Sequence, residues 1–495
     1  MSSPPDTVST VLARGRLGTW TVVFFVIAAA APLTVVAGGA TTGYAVTGVL
    51  GIPVSYLAVA SVLALFAVGY VNMSRRIVNA GAFYTYVTRG FGRPSGVGAA
   101  FVAILGYNAM QIGLYGGFGA VLSGFLADRG GDVPWWLCAY AAWAAVALLG
   151  VVRIDINGKV LATMLVAEVV VALVYDAVMV AHPAGGRVTF DTLSPSRIFA
   201  AGIGAALVTA ITGFVGFEST VVLSEETKDP KRTVARATYI AVAITGLLYG
   251  ASAWAMSVAT GPDRIVDAAS TDSTDLIFNL VSPYVGSELV TIGRLLFITS
   301  LFAALLSFHH TVARYLFALG RERVLPAILG RTSRRTGAPK FGSIIQTVLA
   351  GVVLAGYTIT DADPIVHLFF WVTVTGGLGV LILMTVTSAS VVAFFIRHRA
   401  DDGMWRTRIA PALAALALGA ILYVTVSQFD TLLGVEPTSP LRWWFPASYG
   451  IAAAAGLLWA LILRATRPDV YRSIGLGAES ATAPLRVPDP VRQSA

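Results

Sequence analysis

Ala28-Ala-Ala-Ala31-Pro32-Leu33-Thr34-Val-Val-Ala-Gly38-Gly39 stands in the middle of an apolar run from about Leu17 to Gly48. As one helix these 32 residues would be roughly 48 Å long, against a hydrocarbon core of about 30 Å. Pro32 prevents a continuous helix. It has no N–H, so the Ala28 carbonyl four residues back loses its partner. Gly38, Gly39 and Gly43 follow one to two turns later. Lipid cannot satisfy a free N–H or C=O, so irregular backbone at membrane depth is tolerated only where it lines a cavity. The run therefore reads as a membrane helix broken at Ala31-Pro32-Leu33-Thr34.

A second interruption, Thr212-Gly213-Phe214-Val215-Gly216-Phe217-Glu218, lies about 180 residues further on, inside a span from Arg197 to Glu225. Paired interruptions at corresponding positions point to a transporter site built from an inverted repeat. Each break frees N–H groups at one half-helix end and carbonyls at the other. An amino acid, carrying both a carboxylate and an ammonium, can use both ends.

The rest of the chain fits that reading. Of 495 residues, 56% are hydrophobic and 12% charged, where a soluble domain has about 25% charged. The mean hydropathy is +0.76. So little polar surface excludes a soluble enzyme and a disordered chain. Twelve apolar segments are expected near 17–48, 53–73, 95–127, 134–151, 157–181, 198–224, 233–260, 286–318, 341–360, 365–396, 409–430 and 443–464. The single cysteine, Cys138, excludes an intramolecular disulfide and a cysteine-cluster metal site.

Net charge is +8, which in a soluble protein would suggest nucleic acid. Its distribution says otherwise. With the N-terminus inside and the segments alternating, 28 of the 34 Lys and Arg residues fall on the inner side. That is a positive-inside pattern and places both termini in the cytoplasm, with the lipid bilayer as the partner. Residues 1–16 and 465–495 read as cytoplasmic tails.

Three inner connections carry a family resemblance. Asn79-Ala-Gly-Ala-Phe-Tyr84-Thr-Tyr86 through Gly90-Phe-Gly92 resembles a "GGxYxY…xxG" connection between helices 2 and 3. Gly216-Phe-Glu218 through Glu225-Glu226 to Pro230-Lys-Arg232 and Ala235-Arg-Ala237 resembles the helix 6–7 connection "GFE…EExxxPxxxxPrA". Ala313-Arg314-Tyr-Leu-Phe-Ala-Leu-Gly-Arg321-Glu-Arg-Val-Leu-Pro326 with Gly337-Ala-Pro339 resembles "SRxlyalaRdgxlP…gtP" between helices 8 and 9. By these motifs the chain is identified as a member of the amino acid–polyamine–organocation superfamily over roughly residues 17–465. The resemblance implies a LeuT-like fold of twelve transmembrane helices, with inverted five-helix repeats at 17–181 and 198–396 and helices 11 and 12 at 409–464. It also implies secondary transport of an amino acid, polyamine or related amine. The usual "GSGIF" of helix 1 is replaced here by Ala31-Pro32-Leu33-Thr34.

Glu168 lies at the midpoint of the fifth segment, where proton-coupled members of the superfamily carry a lysine. A charge at the bilayer centre costs at least about 2.5–3.5 kcal/mol. Glu168 is therefore expected either to exchange a proton during transport or to serve as a protonated hydrogen-bonding group. Glu218, one turn past the second break, is a second candidate for proton coupling. Substrate contacts are expected from Ala31, Pro32, Leu33 and Thr34, and from Thr212, Gly213, Phe214, Val215 and Gly216. Asn108 and Gln111 share a helix face at mid-depth and either touch the substrate or join helices. Phe214 and Trp371 are candidate gate aromatics. His309 and His310 read as inner-interface structure or as a pH switch. Glu225, Glu226, Lys231, Arg232, Arg236 and Arg314 form either an inner ion-pair gate or a solvated loop.

There is no G-x-S-x-G with His and Asp, no H-E-x-x-H and no P-loop, so no enzyme, metal or cofactor is expected. The expectation is proton-coupled uptake of an amino acid or related amine across the plasma membrane. An exchanger, a sodium symporter and a non-transporting receptor on the same fold remain the alternatives.

Overall fold

The computed structural model describes residues 17–77, 81–151, 154–199, 202–333, 336–398 and 402–477, leaving aside the side chains of 154–162, 164, 198 and 225. The two terminal tails up to residue 16 and beyond 477 lie outside the described residues, as do Asn79, Arg153, Arg334, Arg335 and Arg399. So do the side chains of Lys159 and Glu225.

The first run folds as α1 (Thr19–Ala30), a π-helical turn (Thr34–Ala40) and α2 (Thr41–Thr47). Then follow α3 (Ile52–Ser74), α4 (Ala82–Phe91), α5 (Arg93–Ala127), α6 (Trp135–Leu149) and α7 (Ile154–Ala181). The second half opens with α8 (Ile203–Phe214), α9 (Ser219–Val222) and α10 (Pro230–Thr260). Two short helices, α11 (Ile265–Asp272) and α12 (Leu276–Val281), precede α13 (Ser287–Arg321) and α14 (Lys340–Ile359). The last described helices are α15 (Trp371–Arg397), α16 (Ala410–Ser427), α17 (Phe429–Leu433), α18 (Leu441–Thr466) and α19 (Pro468–Ser473).

Among the described residues, 10 helical stretches are long and apolar enough to cross a membrane, so this is an all-helical, multi-pass membrane protein. The other two expected segments are helical as well: α6 is a shorter apolar helix of 15 residues, and α7 has 28. At 35 residues each, α5 and α13 reach about 52 Å and extend beyond the hydrocarbon.

Several helix boundaries follow from local chemistry. The sixth span starts at Ile203 instead of 198, because a 3-10 turn at Pro195–Ile198 and Gly202 at φ 88 delay it. Gly92, at φ 103, ends α4 and lets α5 begin with Pro94 in its first turn, where the missing N–H costs nothing. The tenth span begins with a π-helical turn at Pro364–Phe370, and the Asp363 carboxylate accepts from the Ile365 and Val366 amides at 2.8 and 2.6 Å.

Helix α5 is the spine. It packs against α6, α13, α15 and α18, and small residues permit the approach. A Cβ at Gly113 would lie 2.6 Å from Thr373 Cγ2, and one at Gly116 would lie 2.5 Å from the Pro364 carbonyl oxygen. On the other side, α1 packs against α7, α10 and α13, while α8 rests on α15 and α16. The two interrupted spans thus meet at the centre of the bundle. At one end, the Leu17 amide donates to Glu226 O (3.1 Å) and the Lys228 amide to Leu17 O (3.0 Å). Beside them Arg314 Nε meets Glu226 Oε1 at 2.8 Å, with both side chains buried.

Candidate substrate site

Both interruptions are real chain breaks. At the first, α1 stops at Ala30 and Ala31 turns to φ 45, ψ 74. Proline disfavours the helical region for the residue before it, which forces Ala31 out of the helix. The Ala31 amide folds back onto Ile27 O (3.0 Å) and Ala28 O (3.2 Å). The Ala30 carbonyl accepts from Tyr249 Oη at 3.0 Å. Beyond Pro32, the Thr34 amide donates to Ser300 Oγ at 3.3 Å and the Val35 amide to Ala31 O at 3.0 Å.

At the second break, α8 stops at Phe214, Val215 is extended at ψ 127, and Gly216 adopts φ 121. Only glycine serves at Gly216. The positive φ is strained for other residues, and an added Cβ would lie 2.9 Å from Ala29 Cβ and 3.2 Å from Ala30 N. The two breaks therefore touch directly, glycine backbone against alanine backbone. Glu218, fully buried, accepts from the Gly216 amide with Oε2 (3.0 Å) and from Tyr107 Oη with Oε1 (2.6 Å). Tyr70 Oη donates to the Glu218 carbonyl at 3.1 Å.

Between the breaks lies a small cavity of about 60 Å³. Ala29, Ala30, Ala31, Thr34, Val35 and Gly39 form one wall, and Thr209, Thr212, Gly213 and Val215 the facing one. Met110 and Leu114 of α5, Ala304 and Phe308 of α13, and Phe369, Phe370, Thr373 and Val374 complete it. Among the described residues no charged side chain lines it, and its polar groups are threonine hydroxyls and backbone.

Of the residues expected to contact substrate, Ala31, Thr34, Thr212, Gly213 and Val215 line this cavity. Pro32, Leu33 and Gly216 shape the breaks without lining it. Phe214 instead packs against Tyr56 and Tyr249, with ring centroids at 6.3 and 5.6 Å. Asn108 donates to Ile104 O at 2.7 Å on its own helix. Gln111 belongs to a buried network. It receives a hydrogen bond from Gln346 Nε2, lies 3.3 Å from His309 Nδ1, and donates to Tyr115 Oη at 3.1 Å. His309 Nε2 in turn meets Ser343 Oγ at 2.7 Å. These contacts join α5, α13 and α14. Trp371 donates to Leu433 O at 3.0 Å and packs on His367, outside the cavity.

Glu168 is buried on α7. Its carboxylate faces the Leu33 amide and the Ser300 hydroxyl, and its Oε2 has no hydrogen-bond partner. It thus sits one side chain behind the cavity wall, at the first break. His310 lies beside Phe25, with ring centroids 6.3 Å apart. Among the described residues no group of three or more His, Cys, Asp or Glu is placed to hold a metal ion.

Sequence reasoning missed the aromatic wall of Phe308, Phe369 and Phe370. The only available signal was their place on the spans that flank the breaks.

The amino acid permease family model matches residues 17–462. The chain is 24% identical over 409 residues to the low-affinity putrescine importer PlaP of Escherichia coli K12, covering 78% of this chain and 83% of that protein. It is 25% identical over 303 residues to the branched-chain amino acid permease BcaP of Lactococcus lactis subsp. cremoris, covering 58% and 64%. Among solved structures, a manganese transporter of Eremococcus coleocola superposes with TM-score 0.56 at 14% identity, over 95% of this chain and 99% of that one. A Na+-coupled sialic acid symporter, substrate-bound and outward-open, gives 0.53 at 12% identity, over 84% and 90%. At such identities the structural likeness concerns the fold, which is of the LeuT-like kind. With nearly its whole length matched, the chain belongs to the amino acid permease family, within the amino acid–polyamine–organocation superfamily.

Proposed function

We propose that this permease is a secondary active transporter that couples uptake of a small amino acid or amine to protons. It works in the plasma membrane, with both termini cytoplasmic. In this reading α6 and α7 complete twelve crossings, residues 17–181 and 198–396 are the two inverted repeats, and 409–464 packs outside them. The cavity between the breaks holds the substrate. Thr34, Thr212 and the break backbone orient it, and the aromatic wall of Phe308, Phe369 and Phe370 excludes water. The Arg314–Glu226 pair, with the Leu17 strand contact beside it, closes the cytoplasmic side.

The observation that carries the proton reading is Glu168. It is a buried carboxylate beside the first break, with one oxygen free of partners. A proton arriving there changes its bonding to the Leu33 amide and Ser300, and so acts on the break itself. Glu218 serves differently in this reading. Both its oxygens are engaged in holding the second break.

Purified protein in proteoliposomes tests this. Uptake should follow an inward proton gradient, collapse with a protonophore and run without sodium. Glu168→Gln should bind substrate but lose accumulation driven by the gradient. Unchanged pH-driven accumulation by that variant would remove Glu168 from the coupling mechanism. Strict sodium dependence would replace the proton altogether.

A further inference from the structure

The amides at the two breaks have already found partners inside the protein. After the first break, Pro32 has no N–H to offer. The Leu33 amide faces the Glu168 carboxylate, the Thr34 amide is taken by Ser300 Oγ at 3.3 Å, and the Val35 amide by Ala31 O at 3.0 Å. At the second break the Val215 amide goes to Thr212 O (3.2 Å), the Phe217 amide to Phe214 O (3.2 Å) and the Gly216 amide to Glu218 Oε2 (3.0 Å). Both breaks thus carry an internal carboxylate at the end where a helix N-terminus would attract an anion.

The opposite ends are open. Helices α1 and α8 both terminate at the cavity, so two helix C-termini, each equivalent to roughly half a negative charge, point towards it. Among the described residues, the carbonyls of Ala29 and Gly213, two lining residues, accept no hydrogen bond. The rings of Phe308, Phe369 and Phe370 add aromatic lining, which can attract a cation. Among the described residues no Lys or Arg lines the cavity to receive a carboxylate, and no Asp or Glu lines it to receive a second ammonium.

We infer that the substrate is a monoamine with an apolar body and no carboxylate. Its single ammonium sits at the carbonyl ends of α1 and α8, and its apolar part lies against Met110, Leu114 and Val374. An amino acid would have to strip Ser300 from Thr34, or Glu168 from Leu33, to place its carboxylate. A diamine would bury its second charge among apolar side chains, which is costly.

This inference rests on the cavity being the transport site, and matched ligand pairs separate the two readings. Binding is measured by thermal shift of the purified protein, and flux in proteoliposomes. The probes are 2-phenylethylamine against phenylalanine, 3-methylbutylamine against leucine, the methyl ester and N-acetyl form of each amino acid, and 1,4-diaminobutane. The amines and methyl esters should bind at least tenfold tighter than the free amino acids, and the N-acetyl forms and the diamine should bind weakly or not at all. Ser300→Ala, which frees the Thr34 amide, should narrow the gap between amine and amino acid. Amino acids that bind as tightly as their amines, or a gap unmoved by Ser300→Ala, would overturn the inference while leaving transport intact. Tight amine binding without gradient-driven flux would overturn the transport reading and leave the inference standing. If no probe binds or moves, the inference falls with the site.

Discussion

Glu218 offers the sharpest test of how the second break is held. Its carboxylate is fully buried and accepts two hydrogen bonds, from the Gly216 amide at 3.0 Å and Tyr107 Oη at 2.6 Å. Glu218→Ala strands the amide in the middle of the bundle, and a stranded buried donor costs about 1–3 kcal/mol. Tyr107 has a second option: the Tyr315 hydroxyl, without a hydrogen-bond partner, belongs to a ring whose centroid is 5.4 Å away. The total for Glu218→Ala is therefore about 1–3 kcal/mol if Tyr107 turns, and about 2–6 kcal/mol if both donors are stranded. Glu218→Gln behaves differently. Its amide oxygen can face Gly216 while its NH2 donates to Tyr107, which then donates to Tyr315. Every group stays bonded, so the cost should be under about 1 kcal/mol. Tyr107→Phe leaves Glu218 Oε1 without its donor, a loss of about 1–3 kcal/mol. Thermal unfolding in detergent should place Glu218→Gln nearest the wild type, with Tyr107→Phe and Glu218→Ala below it. Proteoliposome uptake should survive in Glu218→Gln. A Gln variant as unstable as Ala would refute the bonding scheme. A stable Gln variant without pH-driven uptake would make Glu218, alongside or in place of Glu168, a proton carrier.

Three further substitutions test the packing around the site. Glu226→Gln should destabilise the protein by about 3–5 kcal/mol, because it leaves the Arg314 charge buried without its counter-ion, whereas the double change Glu226→Met with Arg314→Met should recover much of the loss; a thermal denaturation series reads both, and equal single and double losses would contradict it. Gly377→Ala should cost about 1–3 kcal/mol by overpacking, since its Cβ would lie 2.9 Å from Thr212 Cβ and force α15 away from the second break; a matching loss of ligand affinity is expected in the thermal-shift assay. Gln346→Leu should cost about 1–3 kcal/mol by leaving Gln111 Oε1 without its donor, yet substrate affinity should stay within twofold, because Gln111 lies in a network outside the cavity.

The breaks were legible in the sequence because their cause is local. Proline lacks an N–H wherever it stands, and Gly216 at φ 121 is the kind of position only glycine fills easily. The helices were legible for the same reason, since membrane depth sets their length and composition. The cavity walls were not. Phe369, which lines the cavity, and Ile359, which is 83% exposed on the bundle surface, are both apolar residues on apolar helices. Hydropathy cannot tell a lining face from a lipid face when both are greasy. Gln111 was legible as buried and polar, but its partner Gln346 lies 235 residues away on another helix. A polar group at mid-depth states that it needs a partner without naming one.

Glu168 and Glu218 carry that point into mechanism. Each is an acid buried beside a chain break, and in the sequence the two have the same claim to a proton. Their surroundings differ in one respect. Glu218 has both oxygens already accepting hydrogen bonds, so a proton arriving there must turn Tyr107 from donor to acceptor. Glu168 has Oε2 without a partner, so a proton can occupy that oxygen and leave the other facing Leu33 and Ser300. On the proposal made above, the acid that takes up a proton without rearranging its partners cycles, and the other holds its break. The same accounting of donors and acceptors that explains why each break is stable is what singles out Glu168 in our proposal of proton coupling. It underlies, too, the inference that the anion-binding ends of the two breaks are already taken by the protein's own groups.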